Sequence, residues 1–353
     1  MSNRVEAYTH LLGQAVRTGY YAALYRLTTR QVQRLSEGRA APGVKLTKPV
    51  PATRDLLRDV MRLQARDAEN IREGIYPLPV EPGGSLSDHI ESVRAMFADL
   101  PKSNERRVKG RADEAAALPQ AQGMPEYYAQ NFHYQSGGYL TAESARLYDV
   151  QVETLFFGAA AAMRRQAIRP IAEFMRGRDQ RQMRLVDVAC GSGRFLGQLT
   201  QAFPAMAMTG TDLSQAYLDE ATRYLADRRN VDFRQANAEA MPFDTAHFHI
   251  ATCIYLYHEL PRDVRRRVTS EIARVLKPGG LFVFVDSLQN GDVPAYDGLL
   301  EAFPQRFHEP YFDDYLVDDL AGVQGAFAEA GLEPVQQFTA FLSKIVVCRK
   351  REA

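Results

Sequence analysis

The stretch Leu185–Leu199, LVDVACGSGRFLGQL, sets an apolar run directly before Gly191 and Gly193 and a helix-forming run directly after them. A strand, a glycine turn and a helix start in that order are the opening of a parallel α/β crossover. Glycines let the backbone approach a ligand closely, and the free amides at the helix start offer it donors. The dinucleotide spacing GxGxxG is absent, because Gly197 falls one residue late.

Outward from this stretch, apolar runs alternate with helical ones. Strands are predicted at Arg184–Ala189, Ala207–Asp212, Val231–Ala236, His249–Ile254, Gly280–Ser287, Val335–Phe341 and Ser343–Cys348, with helices such as Arg194–Ala202 and Gln215–Ala226 between most of them. Such alternation implies a parallel sheet covered on both faces. The last two strands follow each other almost directly, which only an antiparallel hairpin permits.

The N-terminal half has a different texture. Tyr8, Leu11, Leu12, Ala15, Tyr20, Ala23, Leu24 and Leu27 recur at helical spacing, so Glu6–Leu35 is read as a helix. A second runs from Thr53, its N-cap candidate, to about Glu73, and a third from Ser87 to Leu100 with Ser87 and Asp88 as cap candidates. A Gly, Pro and Lys-rich loop, Gly38–Pro51, and a proline-rich connection, Tyr76–Gly84, separate them. Pro101–Gln122 is charged and Ala-rich without apolar periodicity and reads as a linker or exposed arm. From Pro125 a dense aromatic passage begins, PEYYAQNFHYQSGGYLTAESARLYDVQVETLFFG, in which Gly137-Gly138 suits a hinge or a close approach to a ligand. The division is therefore 1–122, a helical unit and linker; 123–180, an aromatic lid with connecting helices; and 181–353, the α/β unit, with 288–320 as a cap.

Composition narrows the class. The 353 residues carry 43 Lys or Arg against 43 Asp or Glu, and 46% are apolar, as a globular chain with a large core requires. Zero net charge disfavours a general nucleic-acid binder. No apolar run approaches the ~20 residues that cross a bilayer, and the first residues lack the apolar core of a signal peptide, so a cytoplasmic protein is expected. Cys190, Cys253 and Cys348 have no CxxC spacing and read as reduced thiols. The local exception is Met1–Arg66, where twelve Lys or Arg face four acids.

The strand ending in TGTDLS places Asp212 at its tip, where a carboxylate accepts from both hydroxyls of a ribose and excludes a 2'-phosphate. The motifs VDVACGSGR, TGTDLS, NAEAMPF, FHIATCIYLYHEL and RVLKPGGLFVFVDS stand in this order over roughly half of the chain. Together they resemble the class I S-adenosylmethionine-dependent methyltransferases, small-molecule branch, which includes the ubiquinone and menaquinone methyltransferases. The resemblance implies a Rossmann-like α/β fold with a seven-stranded, mostly parallel sheet and an antiparallel last strand, here preceded by an all-helical unit. It also implies S-adenosyl-L-methionine as cofactor and S-adenosyl-L-homocysteine as product. Carried over by position, Asp187 lies beside the methionine amino group, and Ala189, Gly191 and Gly193 form the loop under the cofactor. Asp212, with Leu213 after it, holds the ribose; Asn237 and Ala238 face the adenine; Cys253 lies near the methionine moiety. Two positions depart from the family: Asn237 stands where Asp is usual, and His249 follows Phe248 where Asp is usual.

Methyl transfer from a sulfonium is an in-line displacement, and an oxygen or carbon acid must also lose a proton. Histidine suits that task near neutral pH. His133 in the aromatic passage, His258 after the fourth strand and His308 in the cap are the candidate catalytic residues, each balanced against a structural role. Tyr127, Tyr128, Phe132, Tyr134 and Tyr139 read equally as an aromatic cage or lid and as a core between the units; Tyr134 and Tyr139 are the cofactor-site candidates among them. Thr252-Cys253-Ile254-Tyr255 replaces the Asn-Pro-Pro-Tyr motif of nucleic-acid N-methylation. No acid cluster of the catechol methyltransferase kind is present in the sequence, so no metal is expected. The reading is O- or C-methylation of a small apolar or aromatic molecule such as a quinone, polyketide-like or lipid-like acceptor. Its alternatives are non-methyl chemistry on the same fold, decarboxylation or cyclisation, and a non-catalytic scaffold. Partners are the small-molecule acceptor and no nucleic acid; the basic N-terminal helix admits a membrane surface or a homodimer through the helical unit.

Overall fold

The computed structural model describes residues 2–36, 46–80 and 86–352. Most of the Gly38–Pro51 loop and the end of the Tyr76–Gly84 connection lie outside the described residues. The helical unit comprises α1 (Ser2–Leu35), α2 (Thr53–Arg72) and α3 (Leu86–Lys109). Two cap expectations shift by a residue or two. Thr53 is the first helical residue, after Ala52, and Ser87 and Asp88 lie inside the first turn of α3.

The larger correction concerns Pro101–Gln122. Rather than ending at Leu100, α3 continues through Pro101 to Lys109, and short 3-10 turns follow at Glu114–Ala117 and Pro119–Ala121. Ala115 and Ala121 are buried there. Asn131 locks the segment: its backbone N–H donates to the Ala112 carbonyl at 2.7 Å and its Oδ1 accepts from Ala115 N at 2.9 Å. Alanines pack closely without producing the apolar periodicity by which a helix face is recognised, so the sequence shows only a polar arm.

After the aromatic passage come α4 (Ala142–Leu155), α5 (Ala160–Arg165) and α6 (Ile168–Met175). Thr141 caps α4, its hydroxyl accepting from Ser144 N. The helical unit is tied to α5 by one buried carboxylate. Asp67 on α2 receives Arg165 Nε at 2.9 Å, the Tyr76 hydroxyl at 2.6 Å and, on its other oxygen, His10 Nε2 at 2.6 Å. Burial alone would raise the Asp67 pKa; Arg165 and His10 outweigh it and hold it at about 2.

The α/β unit runs β1 (Arg184–Val188), α7 (Arg194–Ala202), β2 (Ala207–Asp212), α8 (Gln215–Tyr224), β3 (Val231–Gln235), β4 (Phe248–Ile254), α9 (Arg262–Val275) and β5 (Leu276–Ser287). It continues through α10 (Asp297–Phe307), α11 (Phe312–Leu316), α12 (Ala326–Glu329), β6 (Leu332–Ala340) and β7 (Ser343–Lys350). The seven strands stand in the order β3-β2-β1-β4-β5-β7-β6. All pairings are parallel except those of β7, which is antiparallel to both β5 and β6. Alternate residues serve opposite faces: Leu185, Ile250 and Val283 join the core under α5, α6 and α7, whereas Val186, Ala251 and Phe282 join the core under α9 and α12. Strands buried on both faces read as continuous apolar runs.

β5 begins four residues before the predicted Gly280, because KPGG is part of the strand. Gly279 takes φ +69°, and a Cβ on Gly280 would fall 2.7 Å from the Lys277 carbonyl. The pairing with β4 shifts register here, between Phe248 and Ile250. Strand order reverses at β1 and β4, and ligands of open α/β sheets bind in the crevice outside the strand ends at such a switch. Among the described residues no helix is long and apolar enough to cross a membrane.

Candidate functional site

A pocket opens at that crevice, lined by Ala189, Gly191, Asp212, Leu213, Ala236, Asn237 and Ala238 from the strand ends. Tyr127, Tyr128, Tyr139, Tyr148 and Tyr217 line it as well. The glycine loop is shaped by left-handed residues, with φ of +57° at Ala189, +54° at Gly191 and +74° at Gly193. A Cβ on Gly191 would meet only the Tyr217 ring, at 4.0 Å, so this backbone lies open to a ligand. Cys190 N donates to the Thr211 carbonyl at 2.8 Å, which fastens the loop to β2. Asp212 joins both: Oδ2 accepts from Gly191 N and Oδ1 from Ser214 N, each at 2.9 Å. Each oxygen keeps a lone pair for a further donor.

Asn237 makes a local turn, its Oδ1 accepting from Glu239 N at 2.9 Å. Glu239 in turn accepts from the Tyr127 hydroxyl at 2.7 Å and from Arg267 Nε at 2.5 Å, which fixes the aromatic segment across this end of the pocket.

Residues 185–280 match the family described as "Methyltransferase domain". This segment is a methyltransferase domain. The phthiotriol/phenolphthiotriol dimycocerosates methyltransferase of Mycobacterium tuberculosis is 32% identical over 126 residues, 35% of this chain and 44% of that protein. The ubiquinone/menaquinone biosynthesis C-methyltransferase of Methylobacterium nodulans is 32% identical over 165 residues, 46% of this chain and 63% of that protein. The chain thus spans about half the length of the curated relatives it matches. Among solved structures, a putative sarcosine dimethylglycine methyltransferase from Galdieria sulphuraria is similar with TM-score 0.42 and 13% identity, over 57% of this chain and 88% of that one.

The sequence motifs imply S-adenosylmethionine as the cofactor, and the pocket's donors and acceptors suit it. Asp212 is an acceptor where a ribose needs one, the loop backbone at Ala189 and Gly191 is open, and Leu213 and Ala238 give apolar contact for a purine. Asp187, Gly193, Cys253 and Tyr134 are not among the residues lining this pocket. The Asp187 carboxylate is buried between strands, accepting from Thr252 Oγ1 at 2.6 Å; burial pushes its pKa up to about 7. Gly193 caps α7 and packs on α8, where its Cβ would come 3.0 Å from that of Ala221. Strand alternation turns Cys253 into the core on the α9 side. Tyr134 leaves the pocket altogether and its ring lies 5.4 Å from that of His308.

The other expectations for this segment resolve similarly. Gly138 approaches protein rather than ligand, since its Cβ would fall 2.2 Å from the Gln130 carbonyl. Phe132 stacks on Tyr139 with centroids 5.2 Å apart, and Tyr139 meets Tyr217 edge-on at 5.7 Å, so the aromatic passage packs as a core that also lines the pocket. His249 accepts from Arg184 N at 3.1 Å and is a structural residue at the sheet's lower edge.

The candidate bases separate. His258 is buried and its Nδ1 lies 2.5 Å from Asp286 Oδ1. Burial alone would lower its pKa; Asp286, helped by Glu259 and Glu309, raises it to about 10, so it is a held imidazolium. His133, with φ +54°, is driven down to about 3 by burial and by His258 and His308, and stays neutral. His308 is half-buried beside Gln130, at 3.0 Å from its Oε1, outside the pocket lining.

Between His133 and His258 stand two acids that the sequence reading passed over. Glu259 lines the pocket, accepts from the Tyr139 hydroxyl at 2.6 Å and lies 3.7 Å from His258 Nε2. Burial pushes its pKa up to about 7 against the pull of His258 and Tyr139. Glu309 is fully buried, with Oε1 3.2 Å from His133 Nε2 but outside hydrogen-bonding geometry, and both its oxygens lack a partner. Burial and the neighbouring Glu259 push it well above the carboxylate range. The signal for both was present: each acid follows directly a histidine singled out on chemistry, in His258-Glu259 and His308-Glu309. Nitrogen and oxygen atoms of His133, Glu259 and Glu309 lie within 4.8 Å of one another, a grouping of a kind that also holds divalent cations.

Proposed function

We propose that this chain methylates an oxygen or carbon atom of a small apolar or aromatic molecule, using S-adenosylmethionine. The observation that carries the reading is Glu259: a carboxylate whose pKa lies near neutrality, on the wall of the cofactor pocket. A general base works best when its pKa is near the working pH. Bound in the pocket, S-adenosylmethionine supplies an electrophilic methyl group on a sulfonium.

The residues divide the remaining work. Asp212, oriented by the Gly191 amide that it accepts from, receives the ribose end, and Tyr127, fixed through Glu239, covers the adenine end. Tyr128, Tyr139, Tyr148 and Tyr217 exclude water around the reacting centre, and their electron-rich faces favour a cation. Glu259 accepts the acceptor's proton at a carboxylate oxygen. The His258 imidazolium, held by Asp286, stands beside it and favours its ionised form. Glu309, its carboxyl pushed upward by burial, and the neutral His133 form the polar end of the acceptor space.

The test is calorimetry with S-adenosylhomocysteine together with mass spectrometry of products from labelled S-adenosylmethionine. Asp212→Ala is expected to weaken S-adenosylhomocysteine by about tenfold to a hundredfold, the scale of one or two charge-assisted hydrogen bonds. Unchanged affinity would remove Asp212 from the ribose site. Binding without any methylated product would move the reading to decarboxylation, cyclisation or a scaffold.

We also propose a second copy of the chain as partner for α1. Val5, Tyr8, Leu12, Val16, Tyr20 and Leu27 form an exposed stripe at helical spacing along it. Sedimentation velocity should show a dimer that Leu12→Lys with Val16→Lys dissociates; monomeric protein that pellets with anionic vesicles would assign the stripe to a membrane surface instead.

A further inference from the structure

A second cavity, of about 530 Å³, lies between α1, α3 and α4 and is closed at one end by His133 and Tyr148. Tyr148 also lines the cofactor pocket, and His133 stands 4.0 Å from Glu259 of that pocket, so the two spaces meet at these side chains. The volume is that of a small-molecule site. Its walls are largely apolar, with Val32, Met96, Leu100, Val152, Leu155 and Phe307 among them.

The charges on the walls are one-sided. Arg107 and Arg306 line the cavity, and among the described residues no Asp or Glu does. Arg107 Nη2 donates to Asn104 Oδ1 at 2.7 Å and to Ser36 Oγ at 3.5 Å, both neutral groups. Among the described residues no carboxylate pairs with either arginine, whereas Arg106, next in the chain, is paired with Glu114. Burial and the nearby Arg306 both push the Arg107 pKa down, as expected of two like charges without a counter-ion.

We infer that this cavity binds an amphipathic acid: an aliphatic or aromatic body along the apolar walls, and a carboxylate, phosphate or sulfonate between Arg107 and Arg306. The reactive end of that molecule points to His133 and Tyr148. This rests on the methyltransferase reading for the claim that the occupant is the acceptor, but its binding does not. Guanidinium groups pair with such anions through charge-assisted, often bidentate hydrogen bonds, and the apolar walls exclude a free inorganic ion as the natural occupant.

The test is fluorescence titration of the full chain with cis-parinaric acid and with its methyl ester, which differ only in the anion. The acid is expected to bind about tenfold tighter or more than the ester, and Arg107→Gln and Arg306→Gln each to cost the acid several-fold while leaving the ester unchanged. Arg107→Lys, which keeps the charge, should recover part of the loss. Equal binding of acid and ester, or acid affinity unaltered in both glutamine variants, overturns the proposal. S-adenosylhomocysteine affinity is measured on the same proteins. If it is absent while the acid preference holds, the methyltransferase reading fails and this one stands.

Discussion

Glu259 shows how burial turns an ordinary side chain into a reagent. Removed from water, and against the opposing pull of a neighbouring imidazolium, its carboxyl moves from its ordinary value of 4.5 to about 7. Turnover should therefore rise with pH through about 7 as the carboxylate forms. Glu259→Gln should lower kcat about a hundredfold or more and flatten that limb, a typical loss for a general base. A pH profile unchanged in the glutamine variant would assign the limb to another group. The same shift bears on stability with the opposite sign. The folded state holds its proton more tightly than the unfolded chain, so this contribution is complete below about 4.5 and is lost as pH rises through about 7. Denaturant midpoints measured from acid to neutral pH should be flatter for Glu259→Gln than for wild type.

Asp67 is one of the buried carboxylates that position the helical elements, beside Glu153, which pairs with Arg17 and Arg164. Asp67 takes hydrogen bonds from α1, α5 and the turn after α2, and with 0% exposure none of its partners can turn to water if it is lost. Breaking a buried ion pair by removing one partner costs about 3–5 kcal/mol. Asp67→Ala should lose stability on that scale in denaturant titration and expose α1 to proteolysis; a loss under about 1 kcal/mol would show that the apolar contacts between α1, α2 and α5 suffice. Its pKa is lowered, so the sign is that of a stabilising carboxylate. The contribution is present above about 3.8 and disappears as pH falls through about 2.

In the whole molecule the acceptor end is assembled from parts far apart in the chain. His133 comes from the aromatic segment, Glu259 from the turn after β4 and Glu309 from the turn after α10, and their ligand atoms lie within 4.8 Å. On the proposed reading, in which Glu259 is the proton acceptor, turnover should survive dialysis against EDTA unchanged. Loss of activity restored by Mn²⁺ or Zn²⁺ would recast the cluster as a metal site.

What the sequence determined by itself is the half of the molecule whose signals are local. Strand alternation, the turn at Ala189–Gly193 and Asp212 at the end of β2 each lie within a few residues of the backbone they shape, so the sheet and the pocket wall at its strand ends are legible in order. The last hairpin was legible too, because two strands joined by two residues can only be antiparallel. What only the tertiary structure decided is which charged groups lose their water, and beside which others. Cys253 and Tyr134 were placed by position in a motif or segment, yet strand alternation and a left-handed turn direct them elsewhere. Glu259 and Glu309 are marked in the sequence only by the histidine before each, and Arg107 and Arg306, without a carboxylate partner among the described residues, by nothing. Their chemistry arises from what the fold sets beside them, Tyr139 and His133 against the two acids and Arg306 near Arg107, and a pKa or a missing counter-ion is a property of that surrounding, not of the residue.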